Sequence, residues 1–328
     1  MKIFFAGTDV FAQPILEGLI KDKHYDILRV ITKPAKPAGR GLMPQANPIL
    51  GVARRFAIKT TVLDKKQTWE PVNKAIKKEK PDCVVVAALG LIIPESTLSL
   101  LPHRFINIHP SLLPQYRGPS PIEAAILNEE KTTGTSLIVL TPKMDAGPVI
   151  AQEEVALCDN DNAFTLQKKL SELSFHLLKK HLARYLTGKQ KATPQIETKA
   201  TYTHIITKQD GLVDLTQPPQ TIITKMRAYI KWPGVFFFAQ KHLYKIIKAR
   251  AEQDRLVIEK IQPAGKKIMT AREFLNGHRA ILTAIPKNVI FDQAQHKLCK
   301  ERLNAKNKIE TGGTKEWTTL SSRRNSSY

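Results

Sequence analysis

Three polar residues carry the chemistry for which this chain can be read: Asn107 and His109 in Phe105-Ile106-Asn107-Ile108-His109, and Asp145 in Met144-Asp145-Ala146-Gly147-Pro148. Apolar and polar residues alternate through the first segment, so as a strand end it presents Asn107 and His109 on one face. Asp145 stands just before turn residues and joins them only through tertiary structure. An amide donor, a titratable ring and a carboxylate in one space suit acyl transfer through an oxyanion. Either Asn107 or His109 alone reads more simply as a group that satisfies the backbone at a strand end.

The elements that must position these residues follow from hydrophobic patterning. The first half alternates short apolar runs with helix-like segments, as in an α/β domain built on a largely parallel sheet. Strands are expected at 3–6, 27–31, 83–87, 105–108, 136–140 and 149–155. A helix is expected from Ser120-Pro121-Ile122-Glu123, with Ser120 capping, Pro121 in the first turn and Glu123 completing a capping box. It follows the Asn-x-His strand directly, so its start should border the site. A long helix should run from about Asp161 to Gly188, giving a first domain of 1–188. The polar, aperiodic stretch 189–200 reads as a linker. Beyond it, a helix at 221–230 and strands at 235–238, 243–247 and 256–261 are expected. A second capping box, Thr270-Ala271-Arg272-Glu273, should open a short helix. These make a smaller, β-rich, barrel-like domain over 201–280, and the basic, polar remainder 281–328 reads as a disordered tail.

The chain has 328 residues, enough for two domains with real cores, and a formal net charge of +22. Lys and Arg are spread over both halves. A polyanionic partner is the natural inference, nucleic acid ahead of a membrane surface, against the plainer alternative of a generally basic proteome. Cys83, Cys158 and Cys299 are far apart, without metal-ligand spacing, and read as reduced thiols of a cytoplasmic protein. The opening apolar run is too short for a signal peptide and no later run is long enough to span a bilayer, so no membrane association is expected. Gly7-Thr8-Asp9 after the first strand lacks the Gly-x-Gly-x-x-Gly pattern, which excludes a dinucleotide-binding fingerprint.

Five segments then act together: Phe5-Ala6-Gly7-Thr8, Lys36-Pro37-Ala38-Gly39-Arg40-Gly41, Ala87 to Pro94, Asn107 to Gly118 and Met144-Asp145-Ala146-Gly147. In composition and order they resemble the methionyl-tRNA formyltransferase family, within the wider group of folate-dependent formyltransferases and hydrolases. Gln262-Pro263-Ala264-Gly265-Lys266-Lys267 resembles that family's second domain. The resemblance covers roughly residues 1–280. It implies a Rossmann-like formyltransferase domain followed by an OB-like domain. The implied reaction is formyl transfer from 10-formyltetrahydrofolate to the α-amino group of methionine on initiator tRNA, for translation initiation, by a monomer that needs no metal.

It also implies residue roles. Asn107 and His109 would donate to the oxyanion, and Asp145 would take the proton leaving the amine. The loop with Leu89, Gly90 and Ile92, together with Ser111, Leu112, Leu113 and Pro114, would shape the folate pocket; an aromatic is usual where this chain has Leu89. Lys36, Arg40, Leu42 and Met43 in the basic loop 33–43 would grip the acceptor end of the tRNA, although the family's basic pair between Gly41 and Leu42 is missing here. Lys266 and Lys267 would add electrostatic grip. The second domain is shorter than the family's, as though two strands were lost between Lys248 and Leu256. Two other readings are open: a formyltransferase for a small amine such as an amino sugar or purine precursor, and a basic RNA-binding protein with a decayed site.

Overall fold

The computed structural model describes residues 1–38, 43–45, 47–64 and 68–292, with the backbone alone at 36–38 and 43–45. The chain divides into two compact units, one formed by Met1–Val213 with Gln220–Val235, the other by Asp214–Pro219 with the chain from Phe236 on.

The first unit opens β1 (Lys2–Gly7), α1 (Ala12–Lys21), β2 (Asp26–Thr32), β3 (Lys36–Ala38), β4 (Met43–Gln45), α2 (Pro48–Arg55), β5 (Lys59–Val62), α3 (Glu70–Glu79) and β6 (Cys83–Ala87). It continues with α4 (Glu95–Leu98), β7 (Phe105–His109), α5 (Pro121–Leu127), β8 (Thr132–Val139), β9 (Val149–Ala156), α6 (Ala163–Leu186) and α7 (Pro219–Ala228). Seven strands form one sheet in the order β5-β2-β1-β6-β7-β8-β9, parallel through β7 and antiparallel at β8 and β9. The middle strands are buried on both faces, so β6 reads Cys-Val-Val-Val-Ala without a polar residue. Ile3, Phe5, Val85, Ile106 and Ile108 pack with α1 and α6 on one side, and Phe4, Ala6, Val84, Val86 and Phe105 with α3 on the other. The period of two therefore puts Asn107 and His109 on the Phe105 side. The strand order reverses between β1 and β6, so the loops leaving those two strands flank the point where open α/β sheets bind ligands, and β7 is the next strand beyond β6.

Three local readings change. β5 was not expected because Lys59-Thr60-Thr61-Val62 is a polar edge strand without a clear apolar face. Ser120 precedes α5, but its hydroxyl donates to the carbonyl of His204 (3.0 Å) and makes no cap bond, so the predicted capping box is absent. The stretch 189–200 is not a free connector: Thr193 and Val149 exchange both backbone hydrogen bonds at 2.8 Å, and residues 195–203 lie against the loop after β7. Gly7 has a packing role, since a Cβ there would come within 2.9 Å of Ala12, Phe5 and the Ala87 carbonyl.

The second unit is the smaller, barrel-like β domain, with β10 (Val235–Ala239), β11 (His242–Glu252), β12 (Arg255–Pro263), β13 (Met269–Thr270), α8 (Ala271–His278) and β14 (Val289–Phe291). Its core is aromatic: Phe237 stacks on Tyr244, and Phe274 meets Tyr244, His278 and Phe291. Thr270 and Glu273 form the expected reciprocal cap. Where two strands were expected to be missing, β11 and β12 run straight into each other as one long antiparallel hairpin. The predicted tail starts too early. Residues 289–291 pair in parallel with β12, and Val289 and Phe291 are buried, because an apolar triplet in a polar stretch is enough to add an edge strand. Residues 293–328, with Cys299, lie outside the described residues.

Candidate active site

Asn107 and His109 meet Asp145 on the Phe105 side of β7. Asn107 Nδ2 lies 3.4 Å from Asp145 Oδ1, and His109 Nδ1 lies 3.6 Å from Asp145 Oδ2. His109 is buried, 4% exposed. Its Nε2 sits 2.9 Å from the backbone carbonyl of Tyr116, and a carbonyl can only accept, so Nε2 carries a proton and Nδ1 faces the carboxylate. With that proton committed to Tyr116, the ring can donate to a reacting oxygen only through Nδ1, and only as imidazolium.

Two loops hold this arrangement. After β7, Ser111 Oγ donates to Gln115 O (2.6 Å), while Ser136 of β8 donates to Ser111 O (2.6 Å) and accepts from Leu113 N (3.1 Å). Gln152 of β9 donates to Leu113 O and Ser136 Oγ, both at 2.8 Å. The loop then turns through Tyr116 (φ 59°) and Gly118 (φ 112°), and the N–H of Gly118 donates to Asp145 Oδ2 at 2.9 Å. After β8, Asp145 itself has φ 50°, a left-handed conformation that costs a non-glycine residue energy. Gly147 follows because a Cβ there would lie 1.7 Å from the Val139 carbonyl. Sequence reasoning missed Arg117, which is 0% exposed, and Gln195, which hydrogen-bonds to it and to the backbone of Asp145 and Gly147. Only Arg117-Gly118 at a turn pointed there.

The remaining predicted residues are placed unequally. Ser111 and Leu113 are buried, and the Ser111 hydroxyl is committed to its own loop. Leu112 lies under Gly134, and Pro114 follows a cis peptide bond. Leu89 is buried in the sheet core, with its carbonyl accepting from Thr8 Oγ1 (3.0 Å), whereas Ile92 is 89% exposed. Gly90 takes φ 64°, with Lys33 Nζ 3.4 Å from its carbonyl. Lys36 and Met43 fall on the strands β3 and β4, which pair antiparallel; Arg40 and Leu42 lie outside the described residues. Lys266 and Lys267 are exposed in the turn before β13, where Gln262 Nε2 holds the Lys266 carbonyl at 3.0 Å.

With this geometry in view, comparison with known proteins is direct. Residues 1–182 match the formyl transferase domain and residues 205–256 the formyl transferase C-terminal domain. Over 304 residues the chain is 36% identical to a methionyl-tRNA formyltransferase of Roseiflexus castenholzii, covering 85% of this chain and 96% of that one. It is 33% identical over 301 residues to one of Caldanaerobacter subterraneus, covering 85% and 97%. Among solved structures, an N-formyltransferase of Helicobacter canadensis in complex with folinic acid and dTDP-3-aminofucose shares the fold, with TM-score 0.58 and 20% identity over 82% of this chain and 98% of that one. The arrangement of Asn107, His109 and Asp145 thus sits in a chain that belongs to the methionyl-tRNA formyltransferase family.

Proposed function

We infer that this chain transfers the formyl group of 10-formyltetrahydrofolate to the α-amino group of methionine esterified to initiator tRNA, as a cytoplasmic monomer serving translation initiation. The observation that carries this reading is the convergence of Asn107, His109 and Asp145 in a chain aligned with methionyl-tRNA formyltransferases over 85% of its length.

The loop after β6 suits a folate, since left-handed Ala88 (φ 45°) and Gly90 open its backbone beside the site and Ile92 offers an uncovered apolar side chain. When bound, 10-formyltetrahydrofolate supplies an electrophilic formyl carbon attached to nitrogen. The acceptor amine needs little activation: an α-amino group has an ordinary pKa of ~7.7–8.0, and esterifying the neighbouring carboxyl lowers it. Negative charge developing on the formyl oxygen makes the larger demand. Asn107 Nδ2 has one N–H toward Asp145 and a second to give to that oxygen, a donor of the kind worth ~2.7–4 kcal/mol. As the amine nitrogen bonds to the formyl carbon, Asp145 takes its proton, directly or through a water, and, sharing it with His109 Nδ1, returns it to the folate nitrogen as the bond from that nitrogen to the formyl carbon breaks.

A small-amine acceptor is the competing reading within the fold, and nothing in the site favours it. Purified protein with 10-formyltetrahydrofolate, methionyl-tRNA, other charged tRNAs and free amines decides between them. Formylation of methionyl-tRNA is expected; transfer confined to free amines contradicts the proposal.

A further inference from the structure

Arg117 is the bulkiest of the fully buried side chains, and the reaction makes no direct use of it. A guanidinium keeps its charge at any accessible pH, so burying one requires partners for its N–H groups. Nε and Nη2 donate to Gln195 Oε1 at 3.1 and 2.9 Å. Nη1 and Nη2 donate to the two oxygens of Glu197 at 3.1 and 3.0 Å, and Nη1 also to the Tyr202 hydroxyl at 3.1 Å. The backbone follows the same path, with Arg117 N on Thr201 O (2.9 Å), Thr203 N on Arg117 O (2.8 Å) and Tyr116 N on Thr201 Oγ1 (2.8 Å). On its other side Gln195 turns Nε2 to the carbonyls of Asp145 (2.7 Å) and Gly147 (2.8 Å). One amide thus joins the loop whose Tyr116 carbonyl fixes His109 to the loop that carries Asp145.

We propose that residues 193–203 form a strap across the active-site loops, and that Gln195, oriented by Arg117, is a positioning residue that holds the Asp145 backbone where its carboxylate can take the amine's proton. The proposal rests on the reading that Asp145 takes that proton. Ordinary packing of a connecting segment accounts for the backbone pairing. It does not account for a buried charge that spends two of its N–H groups on one amide oxygen, beside its pairing with Glu197, with that amide's nitrogen on the carbonyls of Asp145 and Gly147. Holding such a turn is what an over-determined active site requires.

The test uses the full chain with Gln195→Ala, Gln195→Glu and Asp145→Asn in formyl transfer to methionyl-tRNA. Gln195→Ala takes one acceptor from the buried Arg117 and leaves it Glu197 and Tyr202, so the variant's melting temperature is measured beside the kinetics and the comparison is made at a temperature where it is fully folded. Its kcat is expected to fall about 10- to 100-fold, as for a misplacement of about 1 Å, while KM for both substrates stays within about twofold. Its kcat–pH profile changes shape, because the spacing of Asp145 and His109 is no longer fixed. Gln195→Glu keeps the size and the Arg117 pairing but faces the two carbonyls with an acceptor, so it does not restore activity. Gln195→Ala with wild-type kcat and pH profile beside an inactive Asp145→Asn, or a fully active Gln195→Glu, overturns the strap. If Asp145→Asn itself turns over normally, it is the underlying reading of Asp145 that fails.

Discussion

Asp145 is constrained through both its side chain and its backbone. Gly118 N–H and Asn107 Nδ2 approach its carboxylate, and Gln195 holds its carbonyl, while Gly147 is the one residue type its turn allows against the Val139 carbonyl. Asn107 is the donor least committed elsewhere. On the proposed role, replacing it with Ala removes the N–H that meets charge appearing only during reaction, so kcat should fall ~10²–10³-fold with KM for tRNA nearly unchanged. Steady-state kinetics over both substrates checks this, and an equal loss in tRNA binding would point to a fold defect instead. The pair Asn107 and His109 was legible in the sequence because alternation alone fixes their common face. Arg117 was not, since its partner Gln195 lies 78 residues away and no spacing rule connects them.

Among the elements, the buried strands β1, β6 and β7 were readable from continuous or alternating apolar runs, and α6 from its leucines. Polar elements were not. β5 is held by its neighbour β2 rather than by its own pattern, and the segment 193–203 owes its order to tertiary hydrogen bonds that no local signal announces. Glu197 in that segment gives a pH test. Hydrogen bonds from Arg117 first and Lys143 second hold its carboxyl down to about 2 from an ordinary value of 4.5. A depressed carboxylate contributes stability that is fully present above the unfolded value and is lost as pH falls through the folded one. The melting temperature should therefore decline between about pH 4.5 and 2, and Glu197→Gln should flatten that part of the curve while leaving its shape above pH 6 alone. Identical slopes in the two proteins would show that Glu197 is not what the segment depends on in acid.

At the scale of the whole molecule, the net charge of +22 points to a polyanionic partner, in keeping with the tRNA that the family implies. The composition could not say which surface meets it. Lys266 and Lys267 are exposed in a turn of the second unit. Each phosphate contact adds ~0.7–0.9 to the slope of log affinity against log salt. Lys266→Ala with Lys267→Ala should flatten the slope for tRNA binding by up to about twice that and raise KM for tRNA, with the folate KM unchanged. A salt series of binding measurements on the two proteins reads this out, and an unaltered slope would remove both residues from the RNA surface.

The central claim is that the carboxylate of Asp145 takes the proton from the methionyl amine. It is tested most directly by single-turnover formyl transfer to methionyl-tRNA, with both substrates saturating, in the wild type and in Asp145→Asn. The substitution keeps the shape and removes the proton acceptor, so the chemical step should slow by at least ~10²-fold at every accessible pH while bound tRNA is unchanged. A wild-type rate in Asp145→Asn would contradict the account.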